Sequence, residues 1–296
     1  MSEQHAPIPV FVMSYNDLMS LRLCLRALVR RTRRACRIVV VDNASTDRLL
    51  CRFLDRLAAW TNIEVVRNRR NRWVLGLNRA VRQWSRQSAR DALFAVTDCD
   101  IVVPPPRAGA CWLTRLEQAM VQNACIGKLG LSLDLGYIKS REAYRHTYER
   151  ERFFMDGPSI GDFIVAPVDT TLALYRKSMF VSDEPLFIPT HQGLYRPYLY
   201  CCRTPQDFQA RHLSWRFYGA RSEEDVASKL ICFGIVGATV VPAVYSGAPL
   251  HARAFYSSVR PLARLFWGAV AALLQARYFL RTFPRRGNQL QASRRA

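Results

Sequence analysis

Short apolar runs alternate with amphipathic stretches through the first hundred residues. Residues 9–13 form an apolar run that ends on Ser14, Tyr15, Asn16 and Asp17, and they read as a buried strand. Leu18, Leu21, Leu25 and Leu28 then recur at three and four residues, with Arg22, Arg26 and Arg30 on the other side, which is the period of an amphipathic helix. Residues 38–41 are purely β-branched or valine-like, and the turn and capping residues 42–47 precede Leu49, Leu50, Phe53, Leu54 and Leu57. A third strand is expected over residues 63–67, a loop over 68–76 and a helix through Leu77, Val81 and Trp84. Residues 92–96 make the fourth strand.

Strands that alternate with helices in this way predict a parallel sheet with right-handed crossovers. In an open parallel sheet the loops after the strands gather on one edge, where ligands bind. Tyr15 and Asn16, Asp42, Asn68 and Asn71, and Asp98 and Asp100 all fall in such loops. Neither a G-x-G-x-x-G after the first strand nor a G-x-x-x-x-G-K-[ST] is present, which argues against a dinucleotide fold or a P-loop. The fourth run ends on Asp98 and Asp100, and in an extended chain side chains two apart face the same side. Two carboxylates so placed repel unless a cation or shared hydrogen bonds offset them. A hard ion such as Mg²⁺ or Mn²⁺, sharing its shell with substrate phosphates, would do so. The plainer alternative is a solvated acidic turn that caps the next helix.

Composition changes the picture mainly at the C-terminal end. The chain has 296 residues and a formal net charge of +20, enough length and apolar content for one large or two small domains. Only four of its 43 basic residues are lysine, a bias that genomic base composition can produce and that is therefore discounted as a sign of phosphate recognition. After Asp225 there is no acidic residue, whereas ten basic residues follow, so an anionic surface is the expected neighbour of this part. Residues 230–250 are 21 consecutive uncharged positions, long enough to cross a bilayer, although three glycines and two prolines weaken a helix there. Residues 265–276 are too short to span. Flanked by Arg260, Arg264, Arg277 and Arg281, they suit a helix lying in the interface of an anionic membrane. The competing readings are a pair of elements packed on the preceding domain and, last, a spanning segment. The nine cysteines are odd in number and lack a C-x-x-C spacing, so they read as reduced, buried residues of a cytosolic protein. The N-terminus lacks the basic leader and sustained apolar core of a signal peptide.

Six segments carry a family resemblance. FVMSYND at 11–17, IVVVDNASTD at 38–47, NRWVLGLNRAV at 71–81 and VTDCDIV at 96–102 are similar to the first four motifs of family 2 glycosyltransferases. VDTTLALYR at 168–176 and ARHLSW at 210–215 resemble second-half motifs of a bacterial branch of that family. The resemblance covers roughly residues 9–215 and implies an α/β GT-A fold, Rossmann-like, with a mainly parallel sheet flanked by helices, placed over residues 1–225; composition adds a helical, basic extension over 226–296. It further implies transfer of a sugar from a nucleotide-sugar donor, usually with inversion, with Mn²⁺ or Mg²⁺ as cofactor.

Roles follow from the same resemblance. Asp100 is expected as a metal ligand, and Asp98 as a second ligand or a contact to the donor's ribose or sugar. Asp42 would meet the donor base, typically uracil, which favours a UDP-sugar; its alternative is capping the following helix. Tyr15 offers a stacking surface, and Asn16 and Asn71 stand on the donor side or serve as turn and cap residues. Asp169 would be the general base, with a structural carboxylate capped by Thr170 and Thr171 as the alternative. His212 would complete the metal shell or touch the diphosphate, and Arg211 would serve the phosphates. Residues 137–154 are expected as a solvated helix with Tyr and Phe inward, or as a cover over the acceptor site. The function expected is synthesis of a cell-surface polysaccharide on a saccharide or lipid-linked acceptor, by a cytoplasmic protein peripheral on the inner face of the membrane. A nucleotidyltransferase would want a glycine- and lysine-rich phosphate loop after the first strand. A nucleic-acid-binding protein would fit the pI of about 10.2, but no nucleic-acid motif accompanies it. A membrane- or partner-binding protein with a non-catalytic GT-A-like domain is the remaining alternative.

Overall fold

The computed structural model describes residues 6–89, 92–168, 171–180, 201–217, 222–240 and 242–282. Its first half runs β1 (Ile8–Ser14), α1 (Leu18–Arg31), β2 (Cys36–Asp42), α2 (Arg48–Leu57), β3 (Ile63–Arg67), α3 (Leu77–Gln87) and β4 (Leu93–Asp98). These four strands lie side by side in the order β3-β2-β1-β4, all parallel. Each strand is longer than, or equal to, its apolar run, because the polar residue at its end still pairs in the ladder. Ser14 stands opposite Asp42, Asp42 opposite Arg67, and Met13 opposite Asp98. The carboxyl ends of the strands are therefore level, and the loops after them share one edge.

Both faces of this sheet are buried, which is why the strands read as continuous apolar runs. Val10, Val12, Ile38 and Val40 point to one side, against Leu21, Leu28, Leu50 and Leu54 of α1 and α2. Phe11, Val39, Val41 and Val96 point to the other, against Leu77 and Val81 of α3. Aspartates cap the first two helices: Asp17 accepts from Ser20 N at 2.9 Å, and Asp47 from Leu50 N at 2.6 Å.

The second half extends the sheet in mixed fashion, an addition that the parallel expectation did not include. After β5 (Ile101–Val102) and α4 (Trp112–Gln122) come β6 (Lys128–Gly130), β7 (Ser132–Leu133), α5 (Arg145–Met155), β8 (Ser159–Ile160), β9 (Phe163–Val165), β10 (Leu172–Arg176), β11 (Cys201–Arg203) and β12 (Gln209–His212). The large sheet continues from β4 through β10-β6-β11-β9-β8, with β10 antiparallel to β4. A small sheet, β5-β12-β7, crosses the carboxyl edge. Of the apolar run 163–168, only Phe163–Val165 is strand.

Two helices follow, Glu223–Ile235 and Leu250–Thr282. The boundary expected after Asp225 falls inside the first of them. The uncharged run 230–250 is not one element: it holds the end of that helix, a turn at Gly237 with φ +71°, and the short helix Pro242–Ser246. No helix among the described residues is long and apolar enough to cross a membrane, so the spanning alternative is not realised there. The nine cysteines are free, seven of them buried.

Candidate active site

The carboxyl edge carries two linked groups of side chains. The first joins the loops after β1, β2 and β3. Asn16, with φ +46°, accepts from Thr46 N at 2.8 Å and Asp47 N at 3.1 Å, while its own N–H donates to Ser45 Oγ at 2.9 Å. Asp42 is 3% exposed, and its carboxylate accepts from the hydroxyl and the N–H of Ser45. Asp42 thus fixes the 43–46 loop, and the capping role belongs to Asp47. Asn68 donates to Asn43 Oδ1 at 2.9 Å and to the Gly76 carbonyl at 3.1 Å. A Cβ at Gly76 would fall 2.0 Å from Asn43 Oδ1, so only glycine permits this amide ladder.

Above these loops stands an aromatic corner. Tyr15 and Trp73 have ring centroids 6.3 Å apart, and Trp73 is held at φ +48° by Asn43, which donates to its carbonyl, and by Asn71 Oδ1, which accepts from its N–H at 2.9 Å. The helix Glu223–Ile235 closes the corner. Asp225 accepts from the Tyr15 hydroxyl at 2.7 Å, and Ser228 accepts from Trp73 Nε1 at 2.9 Å. Burial first, and then the Asp225 carboxylate, push the Tyr15 hydroxyl up to about 12. Trp73, Asp225 and Ser228 were not singled out in the sequence. Trp73 lies within the third motif, whereas the two helix residues are some 150 positions or more from their partners and had no local signal.

The second group surrounds the acidic pair. Asp98 is the last residue of β4, and Asp100 sits in a turn beyond it, fixed where Cys99 N donates to the Met13 carbonyl at 2.9 Å. The pair is therefore not one extended segment as expected; a buried cysteine in a turn separates the two carboxylates. Cys24 Sγ lies 3.9 Å from the Asp98 carbonyl oxygen, and burial, followed by the carboxylates of Asp100 and Asp98, pushes its thiol well up. The antiparallel β5–β12 pairing sets His212 opposite Ile101, and Leu213 N donates to the Asp100 carbonyl at 2.7 Å. His212 Nδ1 consequently lies 3.5 Å from Asp100 Oδ2 and 2.9 Å from Ser214 Oγ. Trp215 stacks on the imidazole, centroids 4.9 Å apart and planes within 7°. Trp215 thus packs on His212.

The other Asp100 oxygen, Oδ1, is buried and has no hydrogen-bond partner among the described residues. An ionised oxygen left so is costly unless a cation meets it. Among the described residues no three His, Cys, Asp or Glu side chains converge to hold an ion by themselves. The donor set fits a hard ion that takes the rest of its shell from phosphate and water.

Arg211 and His212 also line a cleft of about 200 Å³ with Leu23, Asp134, Tyr137 and Arg216. Arg141 and Arg216 both lie over the Tyr137 ring, at 4.1 and 4.9 Å. Asp134, which nothing in the sequence marked, is brought here by the β7–β12 pairing. Asp169 lies outside the described residues. Its described neighbours are anchored: Lys128 Nζ donates to the Val168 carbonyl, and Thr97 Oγ1 to the Thr171 carbonyl at 2.7 Å, beside Asp98. The 137–154 segment forms a helix over Arg145–Met155, but its buried residue is Glu151 while Phe153 is 74% exposed. Glu151 pairs with Arg203 at 2.5 Å, and Arg203 in turn donates to the Pro167 carbonyl. Phe153 faces outward, whereas Phe154 lies under the Arg203 guanidinium at 5.1 Å and Tyr144 donates to the Trp215 carbonyl, so part of the aromatic face turns inward beside the ion pair.

A parallel four-stranded core with an antiparallel continuation, carrying acidic residues at its carboxyl edge, defines the GT-A class of nucleotide-sugar fold. The model of glycosyl transferase family 2 matches residues 10–181, and the chain belongs to that family. It is a glycosyltransferase. Among solved structures it is similar to the mannosyltransferase PcManGT from Pyrobaculum calidifontis in complex with GDP-Man and Mn²⁺, at 15% identity over 92% of this chain and 76% of that one, with a TM-score of 0.50. It is also similar to residues 1–349 of TarS from S. aureus, at 13% identity over 86% of this chain and 69% of that one, with a TM-score of 0.45. The fold likeness rests on the first of these. No curated protein matches.

Proposed function

We propose that this glycosyltransferase is inverting and metal-dependent, and that it moves a sugar from a nucleotide-diphosphate donor to a saccharide or lipid-linked saccharide in cell-surface polysaccharide synthesis, at the cytoplasmic side of a membrane. The observation that carries the reading is the buried, unpartnered Asp100 Oδ1 with His212 beside it, at the carboxyl edge of the parallel strands. Asp100, with His212 beside it and Asp98 nearby in the chain, would hold Mn²⁺ or Mg²⁺ together with donor phosphate and water, and the ion would supply charge neutralisation for the departing diphosphate. PcManGT is described with GDP-Man and Mn²⁺, which supports a donor and ion of this kind. A UDP-sugar is favoured by the family resemblance of residues 38–47, with Asp42 acting through the loop that it fixes and not by direct contact with the base.

The residues divide the work by position. Tyr15 and Trp73 offer faces to a base. Asp42 and Asn16 fix the loop beneath it, and Asn71 fixes Trp73. Arg211 projects from the strand that carries His212 and supports the phosphates. Asp169, assigned by the resemblance of VDTTLALYR, takes the acceptor hydroxyl's proton as the sugar inverts. Asp169→Asn should lower transfer by about 10²- to 10⁴-fold while metal-dependent nucleotide binding persists. An unchanged rate in that variant, with the loss appearing instead in Asp134→Asn, would move the base to the carboxylate that lines the cleft.

A further inference from the structure

The helix Leu250–Thr282 has two unlike sides. Ala252, Tyr256, Arg260 and Trp267 face the body of the protein. Ala252 and Tyr256 are buried with Ala227 and Leu230, and the Tyr256 hydroxyl and Arg260 Nε both donate to the Ala238 carbonyl. Trp267 Nε1 donates to the Ile235 carbonyl at 2.9 Å. At 3.6 residues per turn these four positions span an arc of roughly 80°. On the opposite side stand Leu262, Leu265, Phe266, Leu273 and Leu280, each between 57% and 74% exposed. They span roughly 100°, and Ala269 and Ala276 fall within the same arc, so the stripe holds no charged residue.

We infer that this stripe is a lipid-docking face, on which the protein lies along an anionic membrane surface with the helix in the plane of the headgroups. Five large apolar side chains on one exposed line are a surface awaiting a partner. Charge selects the partner. No acidic residue follows Asp225, whereas Arg277 and Arg281 lie in the last turns of the helix and four more arginines follow in the sequence. Two copies joined along the stripe would bring like charges together, while anionic headgroups neutralise them. Because no described helix is apolar enough to cross a bilayer, the helix lies in the interface instead. Arg260 takes no part as a headgroup ligand, since it is spent on Ala238 and Thr239. This differs from the sequence expectation, which counted it among the flanking arginines.

The docking stands apart from the transferase reading, and only its consequence rests on that reading. The helix packs on Glu223–Ile235, whose Asp225 and Ser228 hold Tyr15 and Trp73. A membrane-bound stripe would therefore set the donor edge one helix away from the lipid, within reach of a lipid-linked acceptor.

The test is co-sedimentation of the full chain with vesicles of phosphatidylcholine alone, or with about one third phosphatidylglycerol. The wild type should pellet with the anionic vesicles only, and binding should weaken as salt rises. A variant carrying Leu262→Gln, Leu265→Gln and Leu273→Gln should lose at least about tenfold in partition. Its melting temperature and its metal-dependent response to nucleotide should be those of the wild type, because the three side chains are exposed. Wild type that stays in solution at low salt overturns the inference. So does a triple variant that binds as well as wild type, which would leave plain basic charge as the cause. Lipid-free dimers that the variant turns into monomers, without vesicle binding, would assign the stripe to a second copy. Failure of nucleotide binding alone would strike the transferase reading and leave the docking intact.

Discussion

Asn16 shows how much one residue of the edge carries. Its side chain accepts two N–H bonds from the neighbouring loop, its backbone donates a third, and its φ of +46° suits asparagine better than most residues. Asn16→Ala should cost about 1–3 kcal/mol in urea unfolding, and a variant as stable as wild type would mean that the two loops hold without the staple. Tyr15 gives a pH signature. Its hydroxyl is raised to about 12 from an ordinary value of 10.0, by burial first and by Asp225 second. The folded form keeps the proton longer than the unfolded chain, so the contribution is complete below the ordinary value and is lost as pH rises through the folded one. The stabilities of wild type and Tyr15→Phe should therefore converge between about pH 9 and pH 12. Parallel curves over that range would place the hydroxyl away from Asp225. The sequence marked both residues as edge residues. It could not say that Asn16 and Asp42 spend their polar atoms on loop geometry, since Ser45, Thr46 and Asp47 compete for those atoms only once the strands are level.

Elements were legible where their pattern is local. β1, β2 and β4 are largely buried on both faces, β3 is a half-buried edge strand, and α1 to α3 carry apolar stripes at helical spacing, so residues 8–87 follow from periodicity. β5, β7 and β12 were not, because strands of two to four residues have no period to read and their partners lie far along the chain. Yet that small sheet is what brings His212 to Asp100. The resemblance at ARHLSW located His212, and periodicity alone would have missed it. α5 failed in a different way: its inner position is Glu151, whose buried partner Arg203 is 52 residues away. Glu151→Gln should cost about 3–5 kcal/mol because it strands a buried guanidinium. Glu151→Leu with Arg203→Met should cost less, since both charges leave together. A double variant at least as unstable as the single one would show that the pair, with its bond to Pro167, stabilises in its own right.

At the scale of the whole molecule, charge and fold point in opposite directions. The chain is strongly basic, with a net charge of +20, yet the edge of its sheet is built on aspartates. The part after Asp225 supplies half of that charge, while Asp98 ends the central strand β4 and Asp100 stands in the turn beyond it. The 230–250 run is long enough for a span, and the features that put that reading last in the sequence recur in the fold: Gly237 turns at φ +71° and a new short helix begins at Pro242. What the molecule is for turns on whether the Asp100 oxygen meets a metal that carries phosphates. The direct measurement is the unfolding stability of the wild type and Asp100→Asn against a panel of nucleoside diphosphates, with and without Mn²⁺. One nucleotide should stabilise the wild type only when Mn²⁺ is present, by about 2.7 kcal/mol at roughly a hundred times its dissociation constant, and the variant should lose that response. If no nucleotide acts with the metal present, or if Asp100→Asn responds as the wild type does, the metal-dependent donor site proposed here is wrong.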